Sequence, residues 1–272
     1  MALVFREIRV KSILNPSQIE GIDYAINPYL GCLHGCLYCY ADFMRKFSGH
    51  KEPWGDFVDI KTNSPDLLIK EIKRKNPGEV SLSTVTDPYQ PVERRYLLTR
   101  RLLEILAGSP FSVSLLTKSS LILRDIEVFR KIKNITIGFS IPIASDKISS
   151  LLEKRTSSPS ERFKALKILS EEGFSTWVFV APTLPYFSDS PENLEQLLFQ
   201  SKISGAHRVL FDTFQAYPRV WGKIKGFLSR EFPRLVPLYE EYRQFKEEFK
   251  EELKLKAQEL GKKVGIEVQL AF

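Results

Sequence analysis

The three cysteines of this chain, Cys32, Cys36 and Cys39, fall within eight residues and are spaced as C-x3-C-x2-C. An odd number of thiols packed this closely argues against a disulfide framework, which needs pairs and usually spreads them along the chain. Thiolates are soft donors that suit zinc, copper(I) or iron–sulfur clusters. The residue types therefore indicate a metal site in this segment.

Two kinds of metal site fit three thiols. A structural zinc site takes four protein ligands, so zinc would have to recruit His34 or His50. A cubane [4Fe–4S] cluster has four corners, and three cysteines leave one iron with a position for a substrate or cofactor. Gly31 and Gly35 would let the main chain wrap closely around such a cluster. Accidental clustering of core cysteines is disfavoured by the glycines and polar residues around them.

The elements that must position this segment alternate between short apolar strands and amphipathic helices. After the N-terminal run Met1–Val10, the predicted strands are Tyr24–Leu30, Glu79–Val85, Phe111–Thr117, Ile135–Ile141, Thr176–Ala181 and His207–Phe211. Helices are predicted to begin at Ser64-Pro65, Ser158-Pro159 and Ser190-Pro191, because serine before proline favours a helix start. The repeated strand–helix order predicts an α/β fold of parallel strands, in an open doubly wound sheet or a partial TIM barrel.

The alternation is expected to stop after Tyr217. Leu238–Leu260 predicts one long charged helix that ends at Gly261, with an apolar line of Leu238, Tyr242, Phe245, Phe249 and Leu253. Val264–Phe272 is predicted to be a final strand. We therefore expect a body of alternating strands and helices over residues 1–215, and a helical and strand extension over residues 216–272 that packs on it.

Polar residues stand at the ends of several predicted strands: Thr86 and Asp87, Thr117 and Lys118, Ser140, and Thr183. Sites on parallel barrels lie at the carboxyl ends of the strands. A single polar residue at a strand end could simply cap the next helix. Because they recur at successive strand ends, these residues predict a functional site at this edge.

The cysteine segment Asn27-Pro28-Tyr29-Leu30-Gly31-Cys32-Leu33-His34-Gly35-Cys36-Leu37-Tyr38-Cys39-Tyr40-Ala41 resembles the cluster loop of radical S-adenosylmethionine (SAM) enzymes. Further motifs resemble the spore photoproduct lyase-like branch of these enzymes: Thr86-Asp87-Pro88-Tyr89-Gln90-Pro91-x-Glu93, Thr117-Lys118-Ser119 followed by Leu123-Arg124-Asp125, and Ala181-Pro182 with Pro185. The resemblance covers about residues 20 to 215. It implies the partial (β/α)6 TIM barrel rather than the open sheet.

The resemblance also implies site residues. Cys32, Cys36 and Cys39 would ligate three irons of a [4Fe–4S] cluster, and the fourth iron would take the amino and carboxylate groups of SAM. The residues expected at SAM are Tyr38 near the adenine, Thr86 and Asp87 at the amino group, Lys118 at the carboxylate, Ser140 near the ribose, and Val180 and Ala181 at the adenine edge. Glu153 and Arg162 are weaker candidates, which we expect to form a surface ion pair.

The implied activity is reductive cleavage of SAM and abstraction of a hydrogen atom from a substrate, with electrons from an external carrier of the ferredoxin or flavodoxin type. A net charge of +7 and the basic clusters Lys70–Lys75, Arg94-Arg95 and Arg100-Arg101 permit a nucleic-acid substrate. The alternatives are a radical SAM enzyme for a peptide or small metabolite, and a non-catalytic zinc-binding protein. No apolar run could span a bilayer and no leader is recognised at the start, so a cytoplasmic location without membrane partners is expected.

One feature departs from spore photoproduct lyase, which is understood to return a hydrogen atom through an extra cysteine near the second strand. This chain has no fourth cysteine, and the corresponding neighbourhood is Ser83-Thr84-Val85-Thr86. Tyr89, Tyr186 or Tyr217 could donate instead, although packing would explain these aromatic residues equally well. Repair of thymine dimers is therefore not predicted.

Overall fold

The computed structural model describes residues 3–272, which divide into two compact units. The first unit contains residues up to Gly35, Phe43–Gly138 and Arg155–Ser157. The second contains Cys36–Asp42, Phe139–Lys154 and Ser158–Phe272. The predicted boundary between residues 215 and 216 stays a prediction.

The described residues form eleven strands. They are β1 Val4–Ile8, β2 Asn15–Pro16, β3 Tyr24–Ile26, β4 Tyr29–Leu30, β5 Phe57–Lys61, β6 Glu79–Leu82, β7 Ser112–Thr117, β8 Ile135–Ser140, β9 Ser175–Thr183, β10 Arg208–Thr213 and β11 Glu267–Leu270.

Ten α-helices occur in the same part of the chain. They are α1 Ser64–Glu71, α2 Glu93–Tyr96, α3 Leu98–Ala107, α4 Ile126–Phe129, α5 Asp146–Leu152, α6 Pro159–Glu171, α7 Pro191–Ile203, α8 Pro218–Glu231, α9 Val236–Gln244 and α10 Lys246–Val264. Three 3-10 helices cover Tyr40–Phe47, Ser120–Asp125 and Pro233–Leu235.

The strands of the first unit form a small sheet and part of a large one. In the small sheet, in the order β1-β5-β4, β1 is parallel to β5 with Val4 opposite Phe57, and β4 is antiparallel to β5. In the large sheet β3, β6 and β7 are parallel neighbours and β2 pairs antiparallel with β3. Alternate residues of β7 are buried, as expected for a strand whose successive side chains point to opposite faces.

The second unit contains three parallel strands, with β10 paired to both β9 and β11. The large sheet has eight strands, and the boundary between the units falls within β8, after Gly138. The predicted strand–helix alternation is confirmed by β6 to β10 and the helices that follow them. Ser158 caps α6 in a capping box, because its hydroxyl accepts from Glu161 N–H while the Glu161 carboxylate accepts from Ser158 N–H.

Two predictions about the C-terminal segment were wrong. The single helix over Leu238–Leu260 is two helices, α9 and α10, which meet at Phe245, a residue 50% exposed rather than part of the core. Helix α10 continues past Gly261 to Val264 and ends at Gly265, whose φ of 75° is in the left-handed region. A Cβ on Gly261 would lie 2.5 Å from Val268 Cγ2, so this glycine allows close packing and does not end the helix.

The prediction that the strand–helix alternation stops after Tyr217 was also wrong, because the alternation extends further along the chain. Helix α8 follows β10 directly, and the predicted final strand is β11, which pairs in parallel with β10. Within residues 3–272 no helix combines the length and apolar character needed to cross a membrane.

Candidate functional site

The cysteine segment runs from the end of β4 into the 3-10 helix Tyr40–Phe47. Cys32 belongs to the first unit, and Cys36 and Cys39 belong to the second. The side chains of Cys32 and Cys36 are buried and that of Cys39 is half-buried. Main-chain turns shape both parts, since Gly35 N–H donates to Cys32 O and Cys39 N–H donates to Cys36 O, each at 3.3 Å.

Glycine is required at two positions of the first unit near Cys32. Gly31 has φ 96°, and a Cβ there would lie 2.6 Å from Phe57 O. Gly55 has φ 106°, and a Cβ on it would lie 2.7 Å from the Cα of Gly35, whose own φ is 61°. A side chain at Gly31 or Gly55 would therefore push the main chain of the cysteine segment away from its neighbours.

Gln90 and Thr86 hold the main chain on both sides of Cys32. Gln90 Oε1 accepts from Leu33 N–H at 2.8 Å, and Gln90 Nε2 donates to Gly31 O at 3.1 Å. Thr86 Oγ1 donates to Gly31 O at 2.7 Å and accepts from Gln90 Nε2 at 2.8 Å. Sequence reasoning placed Gln90 in a motif but gave it no role, and the side chain proves to be fully buried.

Asp87 is the centre of a second hydrogen-bond network in the same unit. Its Oδ1 accepts from Tyr89 N–H and Thr117 Oγ1, and its Oδ2 accepts from Lys118 N–H, at 2.7–2.8 Å. His34 Nδ1 lies 3.4 Å from Asp87 Oδ2, a charge contact without hydrogen-bond geometry. Burial alone would raise the pKa of Asp87, but His34 and the donors from Thr117 and Lys118 hold it below its usual value.

The structure thus brings three predicted SAM residues, Thr86, Asp87 and Lys118, to one part of the first unit. The Lys118 main chain is bonded on both sides, because its N–H donates to Asp87 and its C=O accepts from Ser157 N–H at 3.1 Å. These contacts are structural, and the predicted contacts of the three residues with SAM stay predictions.

A buried carboxylate that was predicted as part of the motif, but without a role, lies close to Gln90. Glu93 is fully buried, its Oε2 accepts from Tyr29 Oη and Thr99 N–H, and its Oε1 accepts from Arg124 Nη2 at 3.0 Å. Burial raises the pKa of Glu93 in spite of these donors. Tyr29 stands just before Gly31, so Glu93 also supports the start of the cysteine segment.

In the second unit, Tyr38 is held by Glu153. The Tyr38 ring lies in an apolar core that also contains Cys36 and Leu152, and its hydroxyl donates to Glu153 Oε1. Glu153 Oε2 accepts from Arg162 Nη2 and from Ser149 Oγ. The Tyr38 ring therefore fills the core around Cys36, and its predicted position near the adenine stays a prediction.

The expectation of a surface ion pair between Glu153 and Arg162 was wrong. The two side chains are 1% and 0% exposed. Arg162 also donates through Nη1 to Ser140 O at 2.8 Å. A sequence signal existed, because Arg162, Leu166 and Leu169 are spaced as one face of a helix, and the last two are core residues.

The remaining predicted residues lie at the ends of β8 and β9 in the second unit. Ser140 Oγ donates to Ala181 O at 3.1 Å, so the structure brings Ser140 and Ala181 together. Val180 is buried opposite Phe211 of β10. Of the candidate hydrogen donors, Tyr89 is fully buried, while Tyr186 and Tyr217 are exposed.

The donor set of the cysteine segment suits an iron–sulfur cluster, and a zinc site could recruit His50 only by breaking that side chain's present contacts. The soft donors are three thiols, and both ring nitrogens of His50 already face carboxylates, with Nε2 2.8 Å from Asp59 Oδ1 and Nδ1 3.1 Å from Glu52 Oε2. Across residues 3–272 no group of three or more His, Cys, Asp or Glu side chains is gathered at metal-binding distances. The cluster and its ligands therefore stay predictions of the cysteine motif.

The fold is similar to those of two proteins of known structure. A structure of spore photoproduct lyase complexed with dinucleoside spore photoproduct superimposes with a TM-score of 0.71 at 15% identity, covering 98% of this chain and 82% of that one. Streptococcus suis SuiB bound to S-adenosylmethionine gives a TM-score of 0.51 at 17% identity, covering 76% and 44%. The predicted α/β fold class and the similarity to the fold of spore photoproduct lyase are confirmed, and the eight-stranded sheet is compatible with the predicted partial barrel.

Sequence comparisons give the family. An uncharacterized protein of Methanocaldococcus jannaschii is 38% identical over 184 residues, which cover 67% of this chain and 69% of that protein. An uncharacterized protein of Mycobacterium tuberculosis is 32% identical over 250 residues, covering 88% and 73%. The family model of the radical SAM superfamily matches residues 26–198. The chain therefore belongs to the radical SAM superfamily and is an enzyme.

Proposed function

We propose that this enzyme binds a [4Fe–4S] cluster through Cys32, Cys36 and Cys39, cleaves SAM reductively and removes a hydrogen atom from a nucleic-acid substrate. The observation that carries the proposal is the C-x3-C-x2-C spacing within the region matched by the family model. When bound, the cluster would supply the single electron that SAM cleavage requires, drawn from an external carrier of the ferredoxin or flavodoxin type. A cytoplasmic location stays part of this proposal.

The chain's own residues would bind and orient SAM from two groups. In the first unit, Asp87 would accept from the amino group of SAM beside Thr86, and Lys118 would face the carboxylate. An ionised carboxylate has about four acceptor positions, and the three hydrogen bonds to Asp87 leave capacity for another donor. In the second unit, Ser140 would lie near the ribose, with Tyr38, Val180 and Ala181 near the adenine.

The nucleic-acid substrate rests on charge and on the comparison. Spore photoproduct lyase was solved with a dinucleoside spore photoproduct, and exposed cations of this chain include Lys70, Lys73, Arg94 and Arg95. Arg100 contributes less, because it bonds Glu104, Asp125 and Glu127. Phosphate binding by such side chains weakens steeply with salt.

The deciding experiment is anaerobic reconstitution with iron and sulfide. We expect a brown protein with about four irons per chain that releases deoxyadenosine from SAM when given a chemical reductant. C32A, C36A and C39A should each lose the iron, whereas H50N should keep it. Zinc in place of iron, or iron without SAM cleavage, would overturn the proposal.

A second experiment tests whether the substrate is a nucleic acid. Deoxyadenosine release should rise with single-stranded DNA or RNA, and retention of the protein on these strands should fall as salt is raised. Stimulation by a peptide or metabolite pool, with none by nucleic acid, would replace the proposed substrate class while leaving the cofactor chemistry intact.

A further inference from the structure

Gln90 is a fully buried amide whose hydrogen bonds go to the main chain around one predicted cluster ligand. It accepts from Leu33 N–H at 2.8 Å and donates to Gly31 O at 3.1 Å, so its amide spans the two residues that flank Cys32. A buried amide satisfied on both sides in this way restricts the main chain between its partners.

The same side chain is bonded to a predicted SAM residue. Gln90 Nε2 also donates to Thr86 Oγ1 at 2.8 Å, and Thr86 Oγ1 donates to Gly31 O at 2.7 Å, which closes a triangle of hydrogen bonds. Asp87, the next residue, contacts His34 of the cysteine segment at 3.4 Å. Residues 86–90 and residues 31–34 are therefore joined by three hydrogen bonds, of which Gln90 makes two and Thr86 makes one.

We propose that Gln90 is a positioning residue that fixes Cys32 relative to Thr86 and Asp87. One side chain then sets the distance between a cluster ligand and the residues that bind the amino group of SAM. This inference rests on the proposed function, because only a protein that binds the cluster and SAM needs Cys32 held at a fixed distance from Thr86 and Asp87.

Asn63 provides a matched control in the same unit. It is buried, its Oδ1 accepts from Val10 N–H at 2.9 Å, and its Nδ2 donates to Val10 O at 2.8 Å. It therefore holds a main-chain segment through the same kind of two-sided amide bond. Val10 follows β1 and is remote in sequence from the cysteines. Q90M and N63L each replace an amide by an apolar side chain of similar size.

The first measurement uses the unloaded protein. Hydrogen–deuterium exchange at the Leu33 amide should be about tenfold faster or more in Q90M than in the wild type, because its acceptor is gone. In N63L the Leu33 amide should exchange at the wild-type rate, while the Val10 amide speeds up. Unchanged protection of Leu33 in Q90M would overturn the proposal without touching the proposed function.

The second measurement uses reconstituted protein. Wild type and N63L should show the same change in the electron paramagnetic resonance spectrum of the reduced cluster when SAM is added. In Q90M the iron content should fall, or the SAM-induced spectral change should be reduced at equal iron content. A normal iron content and a normal spectral change in Q90M would overturn the proposal.

Unfolding curves separate positioning from a general loss of stability. Q90M and N63L should melt earlier by similar amounts, so a defect in the cluster spectrum of Q90M alone is not a folding effect. A wild-type protein that takes up no iron would instead overturn the proposed function. The hydrogen–deuterium exchange of the Leu33 amide would still show whether Gln90 restricts the main chain of the cysteine segment.

Discussion

The two units hold their parts of the cysteine segment by different means. In the first unit, Gln90, Thr86 and Arg155 all reach the main chain of Gly31 or Leu33. In the second, a side chain, Tyr38, is held by the buried pair of Glu153 and Arg162. Where several side chains bond the same main-chain segment, removing one of them leaves the other hydrogen bonds in place. Removing one member of a buried ion pair leaves the other member's charge uncompensated. The units should therefore differ sharply in how they tolerate substitution.

The largest effect is expected from R162M. Removing the guanidinium leaves Glu153 buried without its cation, and we expect a loss of about 3–5 kcal/mol in the free energy of unfolding, measured by urea titration. Replacing both members, as in E153L/R162L, should recover part of that loss.

K225M is the control for R162M. Lys225 pairs with Glu240 at 2.6 Å, but the two side chains are 48% and 46% exposed. Its loss should cost at most about 1 kcal/mol. An R162M variant as stable as K225M would show that the buried pair does not support the second unit.

A pH experiment on Lys61 sharpens the comparison, because this is a cation in the first unit that also bonds main chain. Lys61 Nζ donates to Asn27 O at 2.7 Å, and burial lowers its pKa to about 8 although the charge of Asp59 opposes the shift. Between that value and the ordinary 10.5, the unfolded chain holds a proton that the folded chain has released, so stability rises with pH.

We expect the free energy of unfolding of the wild type, relative to K61M, to increase by on the order of 2 kcal/mol from pH 8 to pH 10. Below that range the difference should be flat. Urea titrations at a series of pH values measure it, and a difference that falls with rising pH would contradict the assignment of a buried Lys61 with a lowered pKa.

The smallest effect is expected from T86V. Thr86 Oγ1 bonds Gly31 O, but Gln90 Nε2 bonds the same oxygen. The carbonyl therefore keeps a donor, and the loss in the free energy of unfolding should be about 1 kcal/mol. A loss as large as that of R162M would remove the contrast between the two units.

The sequence was most informative where local patterns decide the structure. Strands β6 to β10 and helices α6 and α7 follow from apolar runs and from serine–proline starts. Strand β5 was missed because Asp59 interrupts its apolar run. That carboxylate is buried because Arg6 of β1 neutralises it, with bonds of 2.7 and 2.8 Å from a residue 53 positions away. Such pairing over a long stretch of chain leaves no local signal.

The candidate site also divides into features set by local sequence and features set by contacts between residues distant in sequence. The cysteine spacing and the strand-end residues could be identified from the sequence, because motif spacing is local information. The partners of those residues could not, since Gln90 reaches Leu33 across 57 positions and Tyr38 reaches Glu153 across 115. The long helix was mispredicted for a related reason. Spacing correctly placed Tyr242 on the apolar line but also placed Phe245 there, whereas tertiary packing buries Tyr239 and leaves Phe245 exposed.

Gly35 and Gly55 stand back to back, and each has a positive φ. A Cβ on Gly55 would lie 2.7 Å from the Cα of Gly35, and no substitution at position 35 can remove a main-chain atom. In a library that randomises both codons together, selection for folded protein should therefore return glycine at position 55 whichever residue is selected at position 35.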